Sequence, residues 1–171
     1  MEIQITQDLV QKKSITPNDA GCLQYIESFL TQRGFINETL TFGRVKNLWS
    51  VKRNNGPLLV FLGHVDVVPT GPENEWEHDP FSGYDDGTFI NGRGTGDMKG
   101  GIACFMSALS RIDVDSLNYS IGFLITADEE GPSKDGTVKV VEELLQRNEK
   151  IDYCLIGEPS TLETVGDNIR I

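Results

Sequence analysis

A chain of 171 residues with 38% hydrophobic composition carries enough apolar material for one folded core. Its formal net charge of −11, from 15 basic and 26 acidic residues, argues against nucleic acid or an anionic membrane as partner, since both need clustered Lys and Arg to displace counterions. No apolar run approaches the ~20 residues that span a bilayer, and the start Met1-Glu2-Ile3-Gln4 lacks the pattern of a signal peptide, so a soluble, cytoplasmic protein is expected.

In chain order, Thr16-Pro17-Asn18-Asp19 reads as a helix start, with a hydroxyl able to cap and a proline tolerated in the first turn. Leu23, Ile26 and Leu30 then share a face, and Gly34 is the expected stop. Val45 to Val51 reads as a strand, Asn54-Asn55-Gly56-Pro57 as a turn, and Leu58 to Leu62 as a short buried strand. Asp85-Asp86-Gly87 suggests a hairpin turn leading into Thr88 to Asn91. Ile102, Phe105, Met106, Leu109 and Ile112 recur at helical spacing, which predicts a helix over Met98 to Ile112. Ile121 to Thr126 is a further buried strand, Val138, Val141, Leu144 and Leu145 mark a helix, and Tyr153 to Ile156 is a last strand. Helices alternating with short apolar strands imply an α/β fold, a layered sheet flanked by helices, with mostly parallel but mixed strands because of the hairpin.

Cys22, Cys104 and Cys154 are odd in number and show no C-x-x-C spacing, which argues for buried or inert thiols over a disulfide framework or a thiolate zinc site. The histidines are His64 and His78, so any metal site must be built mainly from carboxylates. Three predicted strands finish in acids: Leu58–Leu62 runs into His64-Val65-Asp66, Ile121–Thr126 into Asp128-Glu129-Glu130, and Tyr153–Ile156 into Gly157-Glu158. A glycine-rich loop, Arg93 to Gly101, delivers Asp97 at the start of a helix. In open α/β sheets ligand sites gather beyond the carboxyl ends of strands, so these ends can converge on one crevice.

Carboxylates desolvated together repel one another, and a divalent cation relieves the repulsion. One imidazole with several carboxylates suits zinc, manganese or cobalt at a hydrolytic centre. His64 and Asp66, two apart on a continuing strand, would leave the same side, letting His64 bind metal while Asp66 fixes the ring through its other nitrogen. Adjacent Glu129 and Glu130 permit one to ligate while the other takes a proton from water. Taken singly each motif also has a plainer reading: a strand-end histidine bonded to its own aspartate, solvated loop acids, or Asp97 as a helix cap.

Together, Gly63-His64-Val65-Asp66-Val67-Val68-Pro69, Gly92 to Gly101, Thr126-Ala127-Asp128-Glu129-Glu130-Gly131 and Gly157-Glu158-Pro159-Ser160 resemble, in order, the zinc aminoacylase and peptidase family that includes desuccinylases, acetylornithine deacetylases and carboxypeptidases. The resemblance implies that His64, Asp97 and Glu158 hold one Zn2+, that Asp97 bridges to a second, and that Glu130 binds the second. Co2+ or Mn2+ would be possible substitutes. It further implies that Glu129 is the general base and acid, that Asp66 orients His64, and that the Asp97-Met98 bond is cis. Val67 to Pro72, Trp76, Asp79-Pro80-Phe81 and Gly166-Asp167 draw the resemblance towards the desuccinylase branch, with acetylornithine deacetylases the near alternative. The substrate would be a small N-acyl amino acid.

The family completes its second zinc site with a later histidine, and none follows His78, which is read as a surface-loop residue. Residues 1–171 are therefore expected to be the N-terminal part of a metal-binding catalytic domain, without the dimerisation domain and the C-terminal catalytic segment. The whole protein would be a homodimer and the isolated chain inactive. A non-catalytic, metal-binding regulatory pseudoenzyme is the alternative of another class, disfavoured by Glu129, which a purely structural metal site does not need. Lys99 is expected to shape the loop or face solvent.

Overall fold

The computed structural model describes residues 1–159. Ser160 and Gly166-Asp167 lie outside the described residues.

Helix α1 (Glu2–Val10), which the sequence reading missed, buries Ile5, Thr6, Leu9 and Val10 along one face. Helix α2 (Cys22–Thr31) buries Cys22, Leu23, Ile26 and Leu30 as their spacing requires, but starts later than Thr16. The side chains of Asn18 and Asp19 fold back onto the amides of Ala20 and Gly21, each at 3.0 Å, making turns that delay the helix. The Thr16 hydroxyl is committed elsewhere, as described below.

Strands β1 (Ile36–Phe42) and β2 (Val45–Lys52) form an antiparallel hairpin across Gly43 and Arg44. β3 (Leu58–His64) follows. β4 (Tyr84–Asp85) and β5 (Ile90–Asn91) make a separate small ribbon around the predicted Asp85–Gly87 turn. Then come α3 (Gly100–Leu109), β6 (Ser120–Thr126), α4 (Thr137–Gln146) and β7 (Tyr153–Ile156). The main sheet has five strands in the order β1-β2-β6-β3-β7. β3 runs parallel to both β6 and β7, and β2 runs antiparallel to β1 and β6. The sheet is mixed as expected, but for a different reason: its antiparallel half is the β1–β2 hairpin, and the Asp85 hairpin stands outside it. β1 escaped notice because Leu40 is its only buried residue, so it carries no apolar run.

One face of the sheet packs on α1, α2 and α3 through a core that includes Leu9, Ile26, Leu48, Phe61, Ile102 and Phe123. Each such side chain contributes roughly 1.5–3 kcal/mol on leaving water. The other face is covered by α4, where Val140 and Leu144 meet Trp49, Val60 and Leu124. Of the residues that mark this helix in the sequence, Leu144 is buried, while Val138, Val141 and Leu145 are exposed. α3 is shorter than predicted at both ends, and Ile112 lies beyond it and exposed. Among the described strands β7 is an edge, with Tyr153, Leu155 and Ile156 exposed. Among the described residues no helix is long and apolar enough to cross a membrane.

Candidate metal centre

Because β3, β6 and β7 are parallel neighbours, their carboxyl ends finish together. His64 is paired with Thr126, and Leu62 with Ile156, so the His64–Asp66, Asp128–Glu130 and Gly157–Glu158 segments leave the sheet side by side. The fourth segment arrives from the turn Thr95–Lys99 that precedes α3. Its backbone leaves helical geometry at Asp97 (φ −99°, ψ 94°) and enters the left-handed region at Met98 (φ 76°). A non-glycine residue there stores strain on the order of 1–3 kcal/mol. The expected cis bond is not found: Asp97-Met98 is trans, the turn being made by the φ of Met98, and the cis bond among the described residues is Thr16-Pro17.

Packing explains how that strained turn is held. Met98 is fully buried, and its Cε lies 2.7 Å from where a Cβ would stand on Gly63 and equally 2.7 Å from one on Gly157. Glycine at both positions lets the thioether lie between the ends of β3 and β7. His64, Asp97 and Glu158 are each the chain neighbour of one member of this Gly63–Met98–Gly157 cluster, so a single apolar contact gathers three candidate ligands.

Asp66 forms the inner layer. It is completely buried, and its carboxylate accepts hydrogen bonds from Thr16 Oγ1 at 2.6 Å, from the Glu129 amide at 3.2 Å and from the Glu130 amide at 3.1 Å. Burial works against its charge, but His64, Thr16 and the Glu129 amide prevail and hold its pKa below the ordinary carboxylate value. The acid loop is thus fastened at its backbone, which leaves the Glu129 and Glu130 side chains available. Asp128, also buried, does the same for the rest of the loop by accepting from the amides of Ser133, Lys134 and Asp135.

The expected His64–Asp66 pairing is present with one change. β3 ends at His64, and the ring nitrogen Nδ1 lies 2.8 Å from the main-chain oxygen of Asp66, while the carboxylate stands off at 3.5 Å. With Nδ1 held in this way, Nε2 faces the cleft. It lies 3.1 Å from Glu158 Oε1, 3.4 Å from Asp97 Oδ1 and 3.6 Å from Glu129 Oε2. At 3.1 Å the Glu158 oxygen is close enough for an ion pair but off hydrogen-bond geometry, and both His64 Nε2 and Glu158 Oε2 are buried without a hydrogen-bond partner.

The electrostatics agree with the geometry. Burial opposes a charge on His64, yet Asp66, with Glu158 behind it, outweighs this and pushes the imidazole up to about 9. Glu130 is raised above its ordinary value first by burial and then by Asp97, and Glu158 by burial and by the charges of Asp97 and Glu129. Buried polar atoms without donors, beside acids that resist ionisation, are what a cation would relieve. Two groups have ligand atoms mutually within 4.8 Å, His64 with Asp97 and Glu130, and His64 with Glu129 and Glu158. The residues present therefore fit a divalent ion bound by one imidazole and carboxylate oxygens.

Every sequence-predicted site residue lies in this crevice. His78 instead stacks on Tyr84 at 3.8 Å in the β4–β5 region, away from the cluster. Three participants were missed. Thr16 reads in sequence as a helix cap, Met98 gives no signal beyond its place in the loop, and Lys99, expected to shape the loop or face solvent, is completely buried. The cysteines are all free, but only Cys22 is buried, while Cys104 and Cys154 are exposed.

Fold and site together make an α/β domain with a carboxylate-rich crevice at its strand ends, and residues 60–170 match peptidase family M20/M25/M40, to which the chain belongs. Within it, the chain is 52% identical over 170 residues to a succinyl-diaminopimelate desuccinylase of Marinobacter nauticus, and 53% identical over 171 residues to that of Hydrogenovibrio crunogenus. Each match covers 98% of this chain and 45% of the relative, so the chain spans less than half the length of these curated relatives. Among solved structures, human carnosine dipeptidase 1 superposes with a TM-score of 0.82 at 20% identity, covering 94% of this chain and 38% of that one. An M20 family metallo-carboxypeptidase of Sulfolobus solfataricus gives 0.76 at 22% identity, covering 93% and 37%. At such identities these two likenesses speak for the fold.

Proposed function

We propose that this chain is the N-terminal part of the catalytic domain of a succinyl-diaminopimelate desuccinylase. The enzyme hydrolyses N-succinyl-LL-diaminopimelate to succinate and LL-diaminopimelate in lysine biosynthesis, in the cytoplasm and as a homodimer. The observation that carries this reading is the buried, outward-facing Nε2 of His64 ringed by Asp97, Glu129 and Glu158, in a chain about half identical to desuccinylases along 98% of its length.

In this reading His64, Asp97 and Glu158 hold one Zn2+, and Asp97 and Glu130 contribute to a second whose remaining ligands come from elsewhere in the polypeptide. When bound, the ions supply positive charge that polarises the amide carbonyl and acidifies the attacking water. Glu129, with its side chain half exposed to the cleft and its backbone fixed on Asp66, takes the proton from water and returns it to the departing amine. Asp66 keeps His64 oriented through Nδ1.

The test is turnover by the longer polypeptide that contains this chain, on N-succinyl and N-acetyl substrates, with metal content measured alongside. Glu129→Gln is expected to lower kcat by about 10²–10⁴ while zinc content stays unchanged. Turnover surviving Glu129→Gln would remove Glu129 from its role, and preference for the acetyl substrate would move the enzyme to the deacetylase branch.

A further inference from the structure

The Lys99 side chain is completely buried, and among the described residues no ion pair accompanies it. Its ammonium donates instead to the main-chain oxygens of Leu9 at 2.9 Å and Lys12 at 3.0 Å, where α1 ends. The Leu9 carbonyl lies in the last turn of α1, at the negative end of its dipole, the Lys12 carbonyl lies just beyond the helix, and α1 has no basic residue of its own in its last turn. Burial pulls the Lys99 pKa down, with the charges of Cys22 and Asp66 resisting. A buried lysine without a carboxylate is a costly way to cap a helix that water could cap, so its placement calls for a reason.

The chain it fastens supplies one. Beyond Lys12, Ser14 Oγ donates to the Val65 oxygen at 2.6 Å, and the Ser14 oxygen accepts from the Val67 amide at 2.9 Å. The Thr16 amide donates to the Val67 oxygen at 3.2 Å, and its hydroxyl donates to Asp66. Residues 12–16 are therefore stitched along the far end of β3, where His64 and Asp66 sit. On the other side, Lys99 is two residues from Asp97 and directly follows the strained Met98.

We propose that Lys99 is a positioning residue: with Ser14 and Thr16 it clamps residues 12–16 between the Asp97 turn and the His64–Asp66 strand end, fixing how the two approach each other. Among the described residues the ammonium is the only strut from the turn to this segment that ends in a charge, and the Leu9 and Lys12 carbonyls give it two fixed points. The metal-dependent part rests on the reading of His64 and Asp97 as ligands.

The experiment compares the 171-residue chain with Lys99→Met, which keeps the stem and removes the ammonium, and with Leu144→Ala, which opens the core on the opposite face. Urea midpoints set the destabilisation of each. Amide exchange in the metal-free proteins is expected to rise at least about tenfold over residues 12–16, 64–67 and 95–99 in Lys99→Met and to stay near the unsubstituted chain's level there in Leu144→Ala. Affinity for Co2+, followed by absorption, is expected to fall about 10–100-fold in Lys99→Met alone. Exchange and affinity that merely follow the urea midpoint in both variants would overturn the proposal. If Lys99→Met does not fold, Thr16→Val, which cuts the other end of the clamp, is expected to loosen residues 64–67 and weaken Co2+, and exchange and affinity matching the unsubstituted chain would overturn it. An unsubstituted chain that binds no Co2+ sinks the metal assignment, and the exchange comparison then decides the clamp by itself.

Discussion

Asp66 and Glu158 both lie beside the His64 imidazole, yet they stand in opposite conditions. The Asp66 carboxylate is wholly buried and receives a hydroxyl and two backbone amides, so its charge is stabilised by the chain itself and its pKa lies low. Glu158 is three-quarters buried, carries an oxygen with no donor, and has its pKa raised, as does Glu130. The first kind of acid belongs to the architecture and needs nothing further. The second kind is short of positive charge, and this distinguishes a framework carboxylate from a ligand more surely than position in the sequence does.

Substitution at the inner layer gives the largest expected effect. Asp66→Ala strands the amides of Glu129 and Glu130 and the Thr16 hydroxyl in a dry site, and should cost about 3–5 kcal/mol in urea unfolding of the metal-free chain. A loss under about 1 kcal/mol would mean that the inner layer is not the framework element described.

Next in size is the dependence on pH. The folded value of His64, about 9, exceeds its ordinary 6.5, so its stabilisation is complete below pH 6.5 and is lost as pH rises through 9. The raised acids Glu130 and Glu158 slope the same way, since their ionised forms disfavour the folded state. Asp66 contributes in the other direction, its stabilisation being present above the ordinary 3.8 and lost as pH falls below that. Metal-free protein should therefore lose up to about 3 kcal/mol between pH 6.5 and 9. With saturating Zn2+ the slope should reverse, because binding requires neutral imidazole and ionised carboxylates. Parallel curves with and without metal would contradict the outer layer.

The smallest effect is the most discriminating in sign. Glu130→Gln removes a charge that the folded chain resists, and should raise the melting temperature in chelator slightly, by the equivalent of less than about 1 kcal/mol. The same substitution should weaken metal binding. A lower melting temperature in chelator would place Glu130 with Asp66, as framework.

Much of this was legible in the sequence because strand ends announce themselves. Leu58–Leu62, Ile121–Thr126 and Tyr153–Ile156 are apolar runs cut off by acids, and their shared end follows once they are parallel neighbours. What escaped has a common physical cause, namely that a residue's use is fixed by partners far along the chain. Thr16 has the chemistry of a cap and spends its hydroxyl on an aspartate 50 positions away. Lys99 has the chemistry of a surface residue and holds the end of α1 and the segment after it, 87–90 positions away. β1 is an edge strand with one buried residue, so no periodicity marks it. The sequence points to the Asp66 side chain on the ring, whereas its main-chain carbonyl lies closer to Nδ1 and its carboxylate fastens the neighbouring loop.

The Met98 thioether that lies between Gly63 and Gly157 bears on tolerance to ionic radius. Branched or aromatic side chains would lock the two strand ends at one spacing, whereas methionine has three rotatable bonds and a polarisable sulfur that keeps contact as it turns. The ligand-bearing backbones can thus draw together or part by small amounts through rotation of one side chain, with the sheet unmoved. Under the proposed metal reading, such a compliant spacer would let the pocket take Co2+ or Mn2+ in place of Zn2+ without redesign of its strands.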